Sequence, residues 1–398
     1  MSRLSRRGDT PPFHVMEILK AVAVRQQTHG DVCLLCVGQP STGAPQAARE
    51  LAVSALRTQV LGYTEAAGNL DLREAIARHY DDWYGLPVSP DQIMLTTGSS
   101  AAFTAVFLAA FDVGDRVVVT RPGYPAYRNA LAALGCDVVE LDCGPGTRFQ
   151  PTVAMLDSLA PKPAGLVLAS PANPSGTIVP ADELAEIARW CAENDCLLIS
   201  DEIYHGITYG TDARSSWEFS RESVVVGSFS KYFSMTGWRL GWTLLPAHLR
   251  RPVELLLGNL NLCPPAISQA AALGVFTEHA DAELKGHVRR YAANRDLLLS
   301  RLPDIGVQNA TAPDGAFYAY VDVSHLTSDS LAWCGEVLAA TGVAITPGVD
   351  FATAGSGDPA LDGTRFVRFS FAGEPGEISE AFDRLRAYVT SDRRRTAW

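Results

Sequence analysis

The sequence predicts an α/β protein built on a mostly parallel sheet, with a smaller α+β region formed by its two ends. From about residue 45 to residue 260, short apolar runs rich in β-branched residues alternate with amphipathic helical segments. This alternation is typical of a parallel sheet covered on both faces by crossover helices. Beyond residue 280 a long helical pattern gives way to shorter strands and helices. We therefore assign residues 45–275 to a large domain and residues 1–44 with 276–398 to a small domain.

Each element follows from its local pattern. Continuous apolar runs predict buried strands in the large domain at Gln92–Thr96, Arg116–Thr120, Gly165–Ala169, Cys196–Ser200 and Ser223–Phe229. Amphipathic spacing predicts helices between these strands, for example at Ala101–Phe111 and Ala181–Cys191. In the small domain the same criteria predict helices at Val15–Val24, Glu283–Leu302, Leu331–Ala340 and Glu377–Val389, and strands at Phe317–Val323, Val343–Thr346 and Phe366–Phe371.

Composition excludes several classes of function. The chain has 398 residues, 47% of them hydrophobic, and a net charge of −11, which disfavours a nucleic-acid-binding surface. No apolar run is long enough to span a membrane and no secretory signal precedes the first helix, so we expect a cytoplasmic protein without membrane contact. Cys33 and Cys36 form a CxxC, but no second pair or histidine cluster accompanies it. We therefore interpret the eight cysteines as reduced core residues and predict no metal site.

Ligands of open α/β sheets bind at the carboxyl ends of the strands, so the residues that follow each predicted strand are candidates for the site. Gly98, Ser99 and Ser100 follow the first strand and lead into a helix, whose free backbone N–H groups could bind an anion such as a phosphate. Glycine and serine are also ordinary turn and cap residues at helix starts. The segment by itself therefore leaves both interpretations open.

Two further loops carry polar or aromatic groups at the same edge. Tyr124 lies in a turn made rigid by Pro122 and Pro125, which could hold its ring over the end of the sheet. Asn173 lies in a loop between Pro171 and Pro174, where its amide could hydrogen-bond a ligand oxygen. A packed loop tyrosine and an Asx turn are the structural alternatives.

The strongest chemical signals are a carboxylate and an amine at the ends of two apolar strands. Asp201 would be buried and needs a partner, either a protonated pyridine nitrogen or an arginine. Lys231 is costly as a buried ammonium, and the loss of its proton is what a Schiff-base lysine requires. Ser228 and Arg239, on either side of this lysine, could bind a phosphate dianion.

The segment 228–242 resembles the lysine motif of the class I/II aminotransferases, which are fold-type I enzymes dependent on pyridoxal 5'-phosphate (PLP). Its sequence is Ser-Phe-Ser-Lys-Tyr-Phe-Ser-Met-Thr-Gly-Trp-Arg-Leu-Gly-Trp. Further segments similar to the family's motifs occur in the family's order, namely Gly62-Tyr63-Thr64, Gly98-Ser99-Ser100, Asn173-Pro174, Asp201-Glu202-Ile203-Tyr204 and Val367-Arg368-Phe369-Ser370. The resemblance covers nearly the whole chain and implies a large PLP-binding domain with a mixed, mostly parallel, seven-stranded sheet between helices.

The resemblance also implies roles for individual residues. Lys231 would form the Schiff base and move a proton between the substrate Cα and the cofactor. Asp201 would keep the pyridine nitrogen protonated, while Tyr204 and Asn173 would hydrogen-bond the phenolate oxygen. The other residues that the resemblance assigns to the cofactor are Gly98, Ser99, Ser100, Tyr124, Ser228, Ser230, Arg239 and Tyr63.

Substrate binding and assembly follow from the same resemblance. Arg368 would grip the substrate α-carboxylate with two hydrogen bonds, assisted by the backbone at Gly38 and by Asn173. Both Arg368 and Gly38 belong to the predicted small domain, which we expect to close over bound substrate. Tyr63 resembles the phosphate-binding tyrosine that the neighbouring subunit lends, which implies a two-fold homodimer with shared sites.

The reaction that the sequence favours is transamination between an L-amino acid and a 2-oxo acid, in two half-reactions. A β-lyase, a decarboxylase or a synthase would use the same lysine, aspartate and phosphate ligands, and no motif separates these outcomes. A PLP sensor fused to a DNA-binding module is disfavoured because only about 45 residues precede the α/β pattern.

Substrate preference has one weak indication. The segment Val253–Cys263, interpreted as a loop, contains no lysine or arginine, although some dicarboxylate-specific relatives carry a side-chain arginine in this region. Its absence favours a neutral or aromatic substrate, with Phe13, Tyr318 and residues 41–45 as candidate walls of the pocket.

Overall fold

The computed structural model describes residues 5–355 and 357–396 of the chain. The strands are β1 Cys33–Leu34, β2 Ile93–Thr96, β3 Arg116–Arg121, β4 Asp137–Asp142, β5 Gly165–Ala169, β6 Leu197–Asp201, β7 Val224–Ser228, β8 Gly241–Leu244, β9 Tyr318–Asp322, β10 Val343–Ala344, β11 Thr346–Pro347 and β12 Phe366–Ser370. The α-helices are α1 His14–Thr28, α2 Gln46–Thr58, α3 Leu70–Tyr84, α4 Gly98–Ala110, α5 Pro125–Leu134, α6 Val153–Asp157, α7 Ala181–Glu193, α8 Ala247–Leu260, α9 Ala266–Ala272, α10 Glu278–Arg301, α11 Ser330–Thr341 and α12 Pro375–Thr396.

A seven-stranded sheet forms the centre of the molecule, in the order β2-β8-β7-β6-β5-β3-β4. Its strands run parallel from β7 to β4, and β8 is antiparallel to both of its neighbours. Residues Val224–Ser228 and Gly165–Ala169 are buried at every position, as expected for strands covered on both faces. The predicted mixed, mostly parallel α/β sheet is therefore confirmed.

The register of this sheet brings the candidate residues to one edge. Asp201 is opposite Ala169 on one side and Val226 on the other, so the carboxyl ends of β5, β6 and β7 lie side by side. The loop with Asn173, the carboxylate of Asp201 and the segment with Lys231 all begin at this edge. Sheet topology thus gathers residues that are far apart in sequence.

Two smaller sheets are formed by the chain ends. Strands β11, β12 and β9 form an antiparallel sheet, in which Arg368 is opposite Thr346 on one side and Tyr320 on the other. Strands β1 and β10 form a parallel pair. The predicted single strand Val343–Thr346 is wrong. It is interrupted at Ile345, so Val343–Ala344 and Thr346–Pro347 are separate strands in different sheets.

Other boundaries also differ from the prediction. Helix α4 begins at Gly98 rather than at Ala101, and the predicted loop Val253–Cys263 is helical as far as Leu260. Strands β4 and β8 were not predicted. The division into a large domain of residues 45–275 and a small domain stays a prediction.

No helix in the described parts of the chain is long and apolar enough to cross a membrane. The cytoplasmic location stays a prediction from the sequence. The eight cysteines are free thiols, and six of them are buried.

Candidate active site

A cavity of ≈ 350 Å³ opens at the carboxyl edge of the large sheet. It brings together most of the residues that the sequence singled out, and its lining includes Gly38, Ser99, Ser100, Tyr124, Asn173, Asp201, Tyr204, Ser230, Lys231, Arg239 and Arg368. Three predicted site residues, Gly98, Ser228 and Tyr63, lie outside this lining. The first two are next to it, and Tyr63 is on the surface.

Lys231 follows β7 by three residues and points its amine into the cavity. Its Nζ donates a hydrogen bond to the carbonyl oxygen of Gly38 at 2.6 Å and lies 5.7 Å from the centre of the Tyr204 ring. Burial first, and then the nearby guanidinium of Arg368, lower the pKa of Lys231 to about 8, although the carboxylate of Asp201 opposes the shift. The amine is therefore much closer to its neutral, nucleophilic form at physiological pH than an ordinary lysine.

Asp201 ends β6 and is held by two hydrogen-bond donors. Its Oδ2 accepts from the hydroxyl of Tyr127, and its Oδ1 accepts from the backbone N–H of Ile203 at 3.1 Å. Burial raises the pKa of Asp201 to about 6, although both hydrogen bonds and Lys231 lower it. A cationic N–H donor in the cavity would complete the pairing of this carboxylate.

Tyr127 was not among the predicted site residues. It lies in α5, three residues after Tyr124, so the two rings share one face of the helix and lie 5.3 Å apart between centres. The spacing of the two tyrosines is visible in the sequence. The contact of Tyr127 with Asp201 joins residues 74 positions apart, so it cannot be read from the sequence.

Arg368 is a buried guanidinium in the middle of β12. Its Nη1 donates to Oδ1 of Asn173 at 2.8 Å, and its Nη2 donates to the carbonyl oxygen of Cys36 at 2.7 Å. Its Nε has no hydrogen-bond partner among the described residues, and no described carboxylate is within ion-pair distance. A buried cation without an anion is expensive, so Arg368 is a candidate for binding a carboxylate from outside the chain.

The start of α4 forms a cup for an anion. Gly98 adopts a positive φ of 74°, and a Cβ at this position would clash with the guanidinium of Arg239. Across the cup, a Cβ on Gly241 would lie 2.9 Å from the backbone nitrogen of Ser99. Ser99 and Ser100 are in the first turn of this 13-residue helix, where backbone N–H groups have no helical acceptor.

The remaining predicted residues surround this cup and the lysine. The Oγ of Ser228 accepts a hydrogen bond from the backbone N–H of Ser230 at 3.0 Å. The hydroxyl of Tyr204 is within 2.8 Å of the hydroxyl of Tyr318. Burial raises the pKa of Tyr204 far above its ordinary value, so this hydroxyl stays protonated and can donate.

Tyr63 belongs to an exposed apolar surface and does not line the cavity. Tyr63 is 85% exposed and Val60 is 98% exposed, in the segment that follows α2. Leu260 and Leu262 are also exposed and lie close by, because the backbone N–H of Thr64 contacts Sγ of Cys263 at 3.5 Å. Exposed apolar residues in one contiguous surface are characteristic of protein–protein contacts.

No group of three or more histidine, cysteine, aspartate or glutamate side chains in the described residues could hold a metal ion.

The sequence matches the family model described as aminotransferase class I and II over residues 30–385. Among curated relatives, the valine–pyruvate aminotransferase of Mycobacterium tuberculosis is 53% identical and covers 98% of this chain and 99% of its own. The aspartate/prephenate aminotransferase of Thermus thermophilus is 32% identical, over 97% of this chain and 98% of its own.

Solved structures give the same result. The crystal structure of an aminotransferase from Mycobacterium tuberculosis is 52% identical, with a TM-score of 0.94 and coverage of 98% of this chain and 100% of that chain. The aspartate aminotransferase from Thermus thermophilus with maleate is 31% identical, with a TM-score of 0.90 and coverage of 97% and 100%.

The fold and the cavity are typical of the PLP-dependent class of enzymes, with a lysine and a carboxylate that line one cavity at the edge of a mixed α/β sheet. The chain belongs to the aminotransferase class I and II family. It is an aminotransferase that moves an amino group between an amino acid and a 2-oxo acid, as the sequence predicts.

Proposed function

We propose that this cavity holds PLP and that the enzyme transfers the amino group of a neutral, apolar L-amino acid, such as valine, to a small 2-oxo acid, such as pyruvate. The observation that carries the proposal is the set of cations in the cavity. Among the described lining residues these are Lys231, Arg239 and Arg368. Each has a separate function in amino transfer, and none is left over for a charged substrate side chain.

The residues present fit the cofactor. Arg239 and the N–H groups at the start of α4 would bind its phosphate. They lie close together at Gly98, where any side chain would clash with the guanidinium of Arg239. Asp201 would pair with the pyridine nitrogen and hold it in the protonated form. Tyr124 would lie against the ring, with Asn173 and Tyr204 as hydrogen-bond donors to its oxygen. When bound, PLP supplies an electron sink for the bonds at the substrate Cα.

Lys231 would hold the cofactor covalently and would then act as the acid and base of the reaction. Once the substrate amine has displaced it, its Nζ would take the proton from the substrate Cα and deliver it to the cofactor, and the second half-reaction would run the same transfer in reverse. A pKa near 8 suits both directions of this transfer, because the amine exchanges a proton readily near neutral pH. The carbonyl oxygen of Gly38, which accepts a hydrogen bond from Nζ, would hold the amine in place while it moves the proton between the substrate and the cofactor.

Arg368 would orient the substrate through its α-carboxylate. The substrate would replace the acceptors that now occupy the guanidinium and would also satisfy its free Nε. Because Arg368 and Gly38 belong to the chain ends while Lys231 belongs to the large sheet, substrate would draw these parts together. We propose that this closure excludes water from the site.

The substrate side chain would meet an apolar wall. Phe13, Val15, Met16 and Leu19 line the cavity from the side of α1, and Val37 joins them. The mycobacterial relative is named for valine and pyruvate, and the apolar side chain of valine would suit such a wall. A second carboxylate on the substrate would face these residues without a cation to pair with it.

We further propose a two-fold homodimer in which Tyr63 completes the partner's phosphate site. Support comes from the exposed apolar surface around Tyr63 and from the tyrosine's position outside the cavity of its own subunit.

Product analysis tests the reaction directly. We expect the PLP-loaded enzyme to convert valine and pyruvate into alanine and 3-methyl-2-oxobutanoate in equal amounts, measured by chromatography. Aspartate as the donor should give little product. Formation of carbon dioxide or ammonia without alanine would contradict the proposal.

Mixed dimers test the shared site. Lys231→Ala and Tyr63→Ala homodimers should each be weak, whereas subunit exchange between them creates one intact site in each mixed dimer. Random exchange should therefore restore about a quarter of wild-type activity. Activity that stays at the sum of the two variants after proven exchange would exclude this use of Tyr63.

A further inference from the structure

Helix α1 begins at the substrate cavity, and its first residues form the apolar wall. Phe13 occupies the position just before the helix, and its ring meets that of Tyr124 edge to face at 5.9 Å between centres. Val15, Met16 and Leu19 line the same cavity. The position of this helix end therefore decides how much room a substrate side chain has.

A phenylalanine cannot cap a helix, because its side chain has no hydrogen-bond acceptor. The first N–H groups of α1 are instead bound by a carboxylate from a distant part of the chain. The backbone N–H of His14 donates to Oδ1 of Asp350 at 2.7 Å, and that of Val15 donates to Oδ2 at 2.8 Å. Asp350 is 1% exposed, so it is dedicated to this contact rather than to water.

Asp350 is itself firmly placed. It lies in a single helical turn, Gly348–Asp350, that follows β11 directly. Strand β11 pairs with β12 at the position of Arg368. Phe351, the residue after Asp350, has its ring 4.9 Å from the guanidinium of Arg368. The carbonyl oxygen of Asp350 accepts from Nη2 of Arg128 at 2.9 Å. One side chain thus connects the carboxylate-binding strand to the wall of the side-chain pocket.

We infer that Asp350 is a specificity-determining positioning residue, which fixes the start of α1 so that Phe13 and Val15 form a tight pocket for the β-branched or otherwise extended apolar side chain of the substrate. The inference rests on the proposed function and deepens it. Asp350 does not touch the substrate and acts through the helix that it caps. A methyl side chain, as in alanine, hardly reaches the wall, whereas the isopropyl group of valine does.

The test compares valine with alanine as donors to the PLP-loaded enzyme, by single-turnover absorption measurements. In Asp350→Asn the shape is kept, but an amide NH₂ faces one of the helix N–H groups and the favourable charge at the helix start is lost. We expect the rate constant ratio of valine to alanine to fall by about tenfold, the scale of one or two methylene contacts. An unchanged ratio would overturn the inference.

Asp329→Asn is the matched control. Asp329 also caps a helix with its carboxylate, because its Oδ1 accepts from the N–H groups of Leu331 and Ala332 at 3.0 and 3.1 Å, but α11 does not line the cavity. Its loss should lower the melting temperature without changing the ratio. Equal changes of the ratio in both variants would reduce Asp350 to a purely structural role and overturn the inference.

Phe13→Ala keeps the inference testable if Asp350→Asn does not fold. Removing the wall itself should lower the valine-to-alanine ratio. Where Asp350→Asn does fold, adding it to Phe13→Ala should lower the ratio little further, because the two residues act through one element. A ratio that Phe13→Ala leaves unchanged would contradict the inference. Failure of the wild-type enzyme to transaminate either amino acid would instead contradict the proposed function.

Discussion

The two ends of the cavity are built in different ways. At the cofactor end, Lys231 and Asp201 lie at or just beyond the ends of neighbouring strands, and short sequence motifs specify them. At the side-chain end, the wall depends on a contact between His14 and Asp350, which are 336 positions apart. In the proposed function, the chemistry is therefore carried by locally encoded residues and the selectivity by tertiary contacts. Changes at the first end should affect all substrates equally, and changes at the second should alter their ranking.

Lys231→Ala should have the largest effect and should not discriminate between substrates. It removes both the covalent anchor and the base, so turnover with valine and with alanine should fall by about 10⁴-fold or more. Steady-state rates measure this, and circular dichroism serves as the control for folding. Appreciable turnover with either donor would mean that the cofactor end is assigned wrongly.

Arg368→Lys should rank second. A lysine keeps the charge but loses the two-pronged geometry, so KM for every amino acid should rise by roughly 10- to 100-fold. The valine-to-alanine ratio of kcat/KM should stay constant, because both donors carry the same α-carboxylate. A loss confined to valine would show that the two ends of the cavity are not separable.

The pH dependence of cofactor uptake should show the lowered pKa of Lys231. Only the neutral amine reacts with PLP, and burial disfavours the ammonium form, so the amine becomes available near pH 8 instead of 10.5. The rate of PLP uptake by the apo-enzyme should rise about tenfold between pH 7 and 9 and level off above. Stopped-flow absorption measures it, and a midpoint near 10.5 would contradict this account of the lysine.

Tyr127→Phe should have the smallest effect. It removes a hydrogen bond that lowers the pKa of Asp201, so this carboxylate would be less ionised. The affinity of the enzyme for PLP should therefore weaken by about fivefold. Tyr209→Phe is the control, since its hydroxyl binds the carbonyl of Ala316 outside the cavity lining. Equal PLP affinities in the two variants would show that Tyr127 does not contribute to PLP binding.

The strands of the large sheet are predictable from the sequence wherever they are continuous apolar runs, as at Gly165–Ala169, which matches β5 at both ends. Strand β4, Asp137–Asp142, is not predictable in this way because it is an edge strand with three acidic residues, and β8 is not because it has only four residues, begins within the lysine motif and gives no periodic signal.

The site shows the same limit. Arg368 and Lys231 were predictable because their motifs are local, and the cavity brings them together. The partners of Asp201 and of α1 were not, since Tyr127 and Asp350 reach them only through the folded chain. The indication from Val253–Cys263 assumed a loop where α8 continues, so the apolar wall of α1 is the better evidence for a neutral substrate.

The central claim is that the cavity has a cation for the cofactor phosphate, one for the α-carboxylate and none for the substrate side chain. The most direct measurement is the single-turnover rate of the PLP-loaded enzyme with valine and with aspartate at equal, subsaturating concentrations. The account predicts that valine reacts at least about 100-fold faster, because the side-chain carboxylate of aspartate would be desolvated against Phe13 and Val15 without a partner. Equal rates, or a faster reaction with aspartate, would contradict it.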